Sequence, residues 1–121
     1  MLVADYESAT CDVVCQTLDD YNVQSALTCA QALALMKQWP ADLAIVNYEL
    51  PDGTGFTLLS QLYALNPKLF SILIGSDLAK AQADPNRKQV KIHRMLAEPF
   101  TAKVLREAIQ QVLEKPPNGQ A

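Results

Sequence analysis

The sequence contains few of the features that mark a secreted, membrane-embedded or nucleic-acid-binding protein. Its 121 residues include three cysteines, an odd number without the spacing of a disulfide framework or a zinc site. No stretch is long and apolar enough to span a bilayer, and no secretory signal opens the chain. Ten Lys and Arg residues stand against thirteen Asp and Glu residues, so there is no basic excess. These absences predict a cytoplasmic protein that contacts neither nucleic acid nor membrane directly.

The composition favours one globular domain. Half of the residues are hydrophobic and 19% are charged, which allows a packed core and argues against disorder. The length fits one domain of ordinary size. The C-terminal segment is rich in Pro and Gly. We therefore expect a domain over residues 1–115 and a flexible tail, or the start of a linker, over 116–121.

The apolar residues alternate between short strand-like runs and helical spacing. Strands are predicted at 2–4, 23–27, 43–46, 70–74 and 94–97, and helices follow them. Ser8, Thr28 and Thr101 are predicted helix caps. Continuously apolar strands separated by helices indicate a parallel sheet covered on both faces. With right-handed crossovers this predicts an α/β fold, a doubly wound (βα)5 five-stranded parallel sheet.

Two helical segments carry more specific expectations. The last helix is predicted to bury one apolar face, formed by Val104, Leu105, Ala108, Ile109 and Val112. The fourth helix is expected to be short and to break near Pro85, because proline is not tolerated in a helix interior. The polar, basic connection that follows contains His93, which we expect on the solvated surface.

Polar residues follow four of the predicted strands. In a sheet of this kind the ligand site lies outside the carboxyl ends of the strands. The segments at that edge are Asp5-Tyr6-Glu7, Asn47-Tyr48-Glu49, Gly75-Ser76 and Glu98-Pro99.

Three of the segments carry a family resemblance. They are LVADYE at 2–7, DLAIVNYELPDGTG at 42–55 and LAEPF at 96–100. In order and spacing they resemble the signatures of the response-regulator receiver domain of two-component signalling, and the similarity covers nearly the whole chain. The resemblance implies the CheY-like, flavodoxin-like form of the (βα)5 fold.

The resemblance also implies a function for the site, together with departures from it. In an ordinary receiver an aspartate after the third strand accepts a phosphoryl group, and two acidic residues after the first strand help to hold Mg²⁺. A hydroxyl residue and a lysine contact the phosphoryl oxygens. The matching positions here are Asn47 for the phosphoacceptor, Asp5 and Tyr6 for the acidic pair, Gly75 or its neighbour Ser76 for the hydroxyl, and Glu98 for the lysine.

These departures predict a site that takes up no phosphate and holds no metal or cofactor. An amide is uncharged and a poor nucleophile, and Glu98 reverses the charge of the lysine. Asp5 and Glu98 would repel each other, so we expect either that Asn47 donates hydrogen bonds to Asp5 or Glu98, or that Glu98 turns outward. The resemblance further implies a cis peptide bond before Pro99, and Met95 at the position of an aromatic switch residue.

The resemblance therefore implies a degenerate receiver, or pseudo-receiver, that is not an enzyme. We expect it to bind a protein partner, either an effector domain of the same polypeptide or another signalling protein, or to form a homodimer. The predicted interaction face carries Lys91, Arg94, Lys103 and Arg106. Alternatives are a receiver regulated by a small molecule, residual phosphate-dependent signalling, and an enzyme or flavin-binding domain on the same architecture. No nucleophile–base pair or phosphate-binding glycine motif supports the last of these.

Overall fold

The computed structural model describes residues 1–113 of the chain. The domain boundary predicted at residue 115 and the tail predicted at 116–121 lie outside the described residues. No helix within residues 1–113 has the length and apolar character needed to cross a membrane.

Strands and helices follow one another in the predicted order. The strands are β1 Leu2–Ala4, β2 Gln24–Ala26, β3 Leu43–Asn47, β4 Glu49–Leu50, β5 Gly53–Thr54, β6 Phe70–Gly75 and β7 Arg94–Ala97. The helices are α1 Ser8–Thr17, α2 Cys29–Gln38, α3 Gly55–Leu65, α4 Leu78–Ala83 and α5 Ala102–Leu113. A 3-10 helix at Pro85–Gln89 follows α4, so the predicted break at Pro85 is confirmed.

Five of the strands form one parallel sheet in the order β2-β1-β3-β6-β7. Strands β4 and β5 form a separate antiparallel hairpin directly after β3. The main sheet confirms the predicted (βα)5 doubly wound fold. Because the strand order reverses at β1, a crevice forms between the carboxyl ends of β1 and β3, where such sheets hold their functional groups.

Both faces of the sheet are buried, which explains why its strands are continuously apolar. Alternate residues of β3 point to opposite layers: Ile45 packs with the buried faces of α1 and α5, and Val46 packs with those of α2 and α3. This alternation builds two apolar layers on one sheet and fixes its register.

Side-chain caps begin most of the helices. Thr28 accepts a hydrogen bond from the backbone N–H of Gln31, and Thr101 accepts one from Val104, as predicted. The expectation for Ser8 is wrong, because α1 begins at Ser8 and its N-cap is Glu7, which makes no side-chain capping bond. The backbone N–H of Glu7 instead donates to Asp5 Oδ1 at 2.9 Å, so a site residue fixes the entry into α1.

The apolar face of α5 is narrower than the sequence pattern predicted. Leu105, Ala108, Ile109 and Val112 are buried, but Val104 is 39% exposed. Successive residues are rotated by about 100° in an α-helix. Val104 therefore falls at the edge of the stripe centred on Leu105 and Val112, on the surface of the domain.

The β4–β5 hairpin is attached to α2 by one carboxylate. Asp52 Oδ1 accepts from the backbone N–H of Cys29 at 2.7 Å, and Oδ2 accepts from that of Ala30 at 3.1 Å. Two N–H groups that a helix N-terminus leaves without partners are thereby satisfied. The pKa of the Asp52 carboxyl is held below its ordinary value by these backbone hydrogen bonds. The hairpin that follows Asn47 is thus fixed to a neighbouring helix.

We predict that Asp52→Ala lowers the free energy of unfolding, because it removes a carboxylate cap from α2. Asp52→Asn retains one acceptor oxygen and should lose less. Glu107→Ala, which changes an exposed carboxylate on α5, is the matched control. Urea denaturation measures all three, and equal stability of Asp52→Ala and Glu107→Ala would contradict the role of the cap.

Candidate functional site

The carboxyl ends of four strands bring the predicted site residues together at one edge of the sheet. Asp5 follows β1, Asn47 ends β3, Gly75 ends β6 and Glu98 follows β7. Backbone hydrogen bonds extend the ladder into this edge, since Glu98 N donates to Gly75 O at 2.8 Å and Asp5 N donates to Ala26 O at 3.1 Å. The rigid sheet therefore determines where each of these residues sits.

The side chain of Asn47 lies between two carboxylates. Its Nδ2 donates to Asp5 Oδ2 at 3.0 Å and meets Glu98 Oε1 at the longer distance of 3.5 Å. Its Oδ1 accepts from the backbone N–H of Glu49 at 2.9 Å. The opposite orientation of the amide would place an oxygen against carboxylate oxygens, so these partners fix it. The predicted amide bridge is present, and Asn47 is only 3% exposed.

Asp5 is a fully buried carboxylate with neutral partners. Its oxygens accept hydrogen bonds from the backbone N–H of Glu7 and from the Asn47 amide. Within residues 1–113 no Lys or Arg forms an ion pair with Asp5 or Glu98. A buried carboxylate without a counter-charge is costly unless hydrogen bonds compensate it, and the Asn47 amide supplies one of those bonds.

Glu98 is half-buried and adds a second negative charge to the site. Burial is the main cause that raises the pKa of its carboxyl, and repulsion from Asp5 and Glu7 raises it further. The peptide bond between Glu98 and Pro99 is cis, as predicted.

The remaining predicted site positions contribute less. Gly75 is buried beside Asn47, and Ser76 is exposed, with no hydrogen bond from its hydroxyl to any described residue. Tyr6 is exposed, and nearby carboxylates, Glu7 foremost, raise the pKa of its hydroxyl. Glu7 itself is exposed. In the described part of the chain no three His, Cys, Asp or Glu residues are grouped so that they could hold a metal ion.

Two contacts near the site were missed by sequence reasoning. The hydroxyl of Tyr48, the neighbour of Asn47, donates to Asp84 Oδ2 at 2.7 Å. This bond connects the end of β3 to the residue that lies between α4 and the 3-10 helix. Asp84 accepts that bond while it caps the 3-10 helix. Lys80 Nζ pairs with Glu49 at 3.3 Å, so one cation lies beside the chain that follows Asn47. No local pattern signals these contacts, because each joins segments far apart in the chain.

The four basic residues of the predicted interaction face do not form one cluster. Arg106 donates to both carboxylate oxygens of Asp20 and to the Thr17 carbonyl, beside the end of α1. Arg94 instead donates to Gln111. Residues 106 and 111 are about 140° apart around α5, so the two arginines lie on different sides of that helix. Lys91 and Lys103 are exposed, and Met95 is half-buried against the core layer of α2 and α3.

The expectation that His93 lies on the solvated surface is wrong. His93 is half-buried, its Nδ1 accepts from the backbone N–H of Ser71 at 3.1 Å, and its ring meets Phe70 edge-on at a centroid distance of 5.1 Å. The chain directly before β7 already runs beside β6. His93 is therefore partly buried beside β6, although the sequence around it is polar.

Comparison with known proteins identifies the family. The response regulator receiver domain family matches residues 1–110. The chain therefore belongs to that family, whose members are receiver domains of two-component-type regulators. A search of curated proteins found no match.

Solved structures agree with the fold. A CheY-like response regulator receiver domain protein from Methanospirillum hungatei JF-1 is 25% identical, with a TM-score of 0.83 over 93% of this chain and 91% of that one. Vibrio cholerae chemotaxis protein CheY4 is 24% identical, with a TM-score of 0.82 over 92% and 95%. The N-terminal domain of a response regulator/sensory box/GGDEF 3-domain protein from Carboxydothermus hydrogenoformans is 19% identical, with a TM-score of 0.85 over 93% and 92%.

We predict that Glu98→Gln stabilises the protein at neutral pH. A carboxyl whose pKa is raised on folding destabilises the fold once it ionises, so stability falls as pH rises from the ordinary value of 4.5 through the raised one. The variant should therefore melt at a higher temperature than the wild type at about pH 7, and the difference should vanish below about pH 4.

Thermal melts across this pH range, with Glu107→Gln as the exposed control, measure the effect. A lower melting temperature of Glu98→Gln at neutral pH would show that the Glu98 carboxylate stabilises the site.

Proposed function

We propose that this receiver domain is a pseudo-receiver, a phosphorylation-independent signalling domain that acts by binding a protein partner or a second copy of itself. The observation that carries the proposal is the buried Asn47 amide, which hydrogen-bonds to Asp5 and faces Glu98. By the family resemblance, Asn47 occupies the phosphoacceptor position.

The charges at the site oppose phosphoryl transfer. An Asn amide does not supply the carboxylate nucleophile that forms an aspartyl-phosphate. Asp5 and Glu98 would repel an incoming phosphoryl group, and the described residues place no cation beside either carboxylate. Mg²⁺ prefers several hard oxygen ligands in octahedral geometry, and here Asp5 is already engaged in two hydrogen bonds.

A domain of this kind is held in one conformation. A ligand shifts an equilibrium between two states only when it binds them differently, and the Asn47 site offers no place for the phosphoryl ligand. The Tyr48–Asp84 hydrogen bond further connects the site to the C-terminal end of α4. Signalling then depends on which protein occupies the surface of the domain.

The interaction face that we propose is the edge formed by α4, β7 and α5. Strand β7 lies at the edge of the sheet, and α4 and α5 both contact it. Arg94 and the side chain of Val104 are exposed there, and Lys91 is exposed just before β7. Arg106 is no longer part of this face. An exposed positive group on an acidic protein favours an acidic partner patch, either on an effector domain of the same polypeptide or on another protein.

Regulation by a small molecule is a second candidate, and one groove favours it. The groove has a volume of about 370 Å³, lies at the opposite end of the sheet from Asn47, and is lined by Tyr21, Trp39 and Leu113 among others. Clefts with exposed aromatic side chains are typical of small-molecule sites. A thermal-shift screen of metabolites, repeated with Trp39→Ala, distinguishes this candidate from a domain that binds only proteins.

We predict that acetyl phosphate with Mg²⁺ leaves the mass of the protein unchanged. Neither a nucleophile nor a phosphate-attracting charge is available at Asn47. Intact-mass spectrometry measures this directly, and a stoichiometric base-labile phosphoryl adduct would contradict the proposal.

Two variants separate the contributions to this inertness. Asn47→Asp alone should remain unlabelled, because it brings a third carboxylate close to Asp5 and Glu98 and removes the donor between them. The triple variant Asn47→Asp, Tyr6→Asp, Glu98→Lys restores the acidic pair and the cation, so it should label more than the single variant. Strong labelling of Asn47→Asp alone would show that Glu98 does not oppose the reaction.

We predict that Arg94→Glu weakens self-association or partner binding, because it reverses the exposed charge of the proposed face. Lys37→Glu, on the exposed end of α2, is the matched control and should change neither. Arg106→Glu should lower stability by breaking the Asp20 pair and should not act through this face. Sedimentation and pull-down assays measure the effect, and unchanged association of Arg94→Glu in both would exclude the face.

A further inference from the structure

We propose that the rim of the Asn47 site, around Tyr6, is a docking surface for a basic side chain that a partner protein presents on an extended segment. This surface is distinct from the α4–β7–α5 face, so the inference goes beyond the proposed function. Its occupant is an arginine or lysine with an apolar neighbour in the partner chain.

The first observation is an exposed aromatic ring beside an apolar shelf. Tyr6 is 46% exposed. Together with Glu49, Leu50 and Pro51 it lines a shallow open pocket of about 310 Å³. The face of such a ring attracts a guanidinium or ammonium group, and the shelf offers contact to the aliphatic part of the same side chain.

The second observation is the charge around the ring. The carboxylate of Glu49 lines the same pocket as the Tyr6 ring. Repulsion from Glu7 raises the pKa of the Tyr6 hydroxyl most, and burial and repulsion from Asp5, Glu98 and Glu49 raise it further. Among the described residues, the one cation that pairs with any of these four carboxylates is Lys80, through an exposed contact with Glu49. Exposed ion pairs contribute little free energy, so a basic side chain from a partner can replace Lys80 at Glu49.

The third observation is the burial of the carboxylates behind the rim. Asp5 is fully buried and is hydrogen-bonded only to neutral groups among the described residues. A cation cannot touch Asp5 from outside, but it can approach Glu98. That carboxylate is half-buried, and among residues 1–113 its side chain has only the long contact with Asn47. A positive charge held at Glu98 therefore offsets both carboxylates, because interactions across buried, low-dielectric space are strong.

The chemistry favours a protein segment over a metal ion. Within residues 1–113 no grouping of three metal-ligating side chains exists. The Leu50–Pro51 shelf gives a free ion no contact, whereas a peptide can cover it. A planar guanidinium can also donate to separate carboxylates while its flat face lies on the Tyr6 ring.

The test is an NMR titration of the isotope-labelled protein with the capped tripeptide Leu-Arg-Leu and with the same peptide carrying neutral citrulline in place of arginine. With arginine, backbone amide shifts should be confined to Tyr6, Glu49, Leu50 and Glu98. Glu98→Gln should weaken binding about tenfold. Tyr6→Ala should weaken it about two- to fivefold.

Controls separate the ring and the local charge from general effects. Tyr6→Phe keeps the ring and should retain binding. Tyr21→Ala and Glu107→Gln, an exposed tyrosine and an exposed glutamate elsewhere, should leave binding unchanged. Three results would each overturn the proposal: equal shifts with the citrulline peptide, equal shifts with Mg²⁺ or guanidinium chloride alone, or no localised shifts at millimolar peptide. These results do not depend on whether Asn47 resists phosphorylation.

Discussion

Asp5 and Glu98 lie at the carboxyl edge of the sheet with the amide of Asn47 between them. Two carboxylates in a partly buried site repel, and one neutral donor supplies the attraction that offsets this repulsion. The same amide accepts from Glu49 N, so the loop after β3 takes its direction from Asn47. Asp52 then fixes that loop to the start of α2 by accepting from Cys29 N. The Tyr48–Asp84 hydrogen bond fixes it to the end of α4.

This constraint changes what a receiver fold can do. In a domain with two states, a ligand at the site selects one of them through differential binding. Here the Asn47 amide bonds to Asp5 and faces Glu98, and we propose that no phosphoryl group binds there to select a state. In the function that we propose, the surface carries the specificity: a basic edge around Arg94 on one side, and the acidic, aromatic rim around Tyr6 on another. Partners of opposite charge can be distinguished by these two surfaces.

Local patterns in the sequence were sufficient for the fold and for the residues at the sheet edge. Continuous apolar runs predicted strands buried on both faces, and the polar residues after them predicted the convergence of Asp5, Asn47 and Glu98. The contacts that escaped prediction join distant positions. Asp52 and Cys29 are 23 residues apart, Tyr48 and Asp84 are 36 apart, and Asp20 and Arg106 are 86 apart. Their geometry depends on how helices and loops pack after the sheet has formed, as does the burial of His93.

The side-chain amide of Asn47 reports most directly on the central claim, that it bridges the two carboxylates in a single conformation. NMR of the isotope-labelled protein should show one pair of well-dispersed Asn47 Nδ2 proton resonances. They should exchange slowly with water and stay unchanged when Mg²⁺ and beryllofluoride, a phosphoryl analogue, are added. Averaged or rapidly exchanging resonances, or a large shift with the analogue, would contradict the account, because the site would then be open and able to switch.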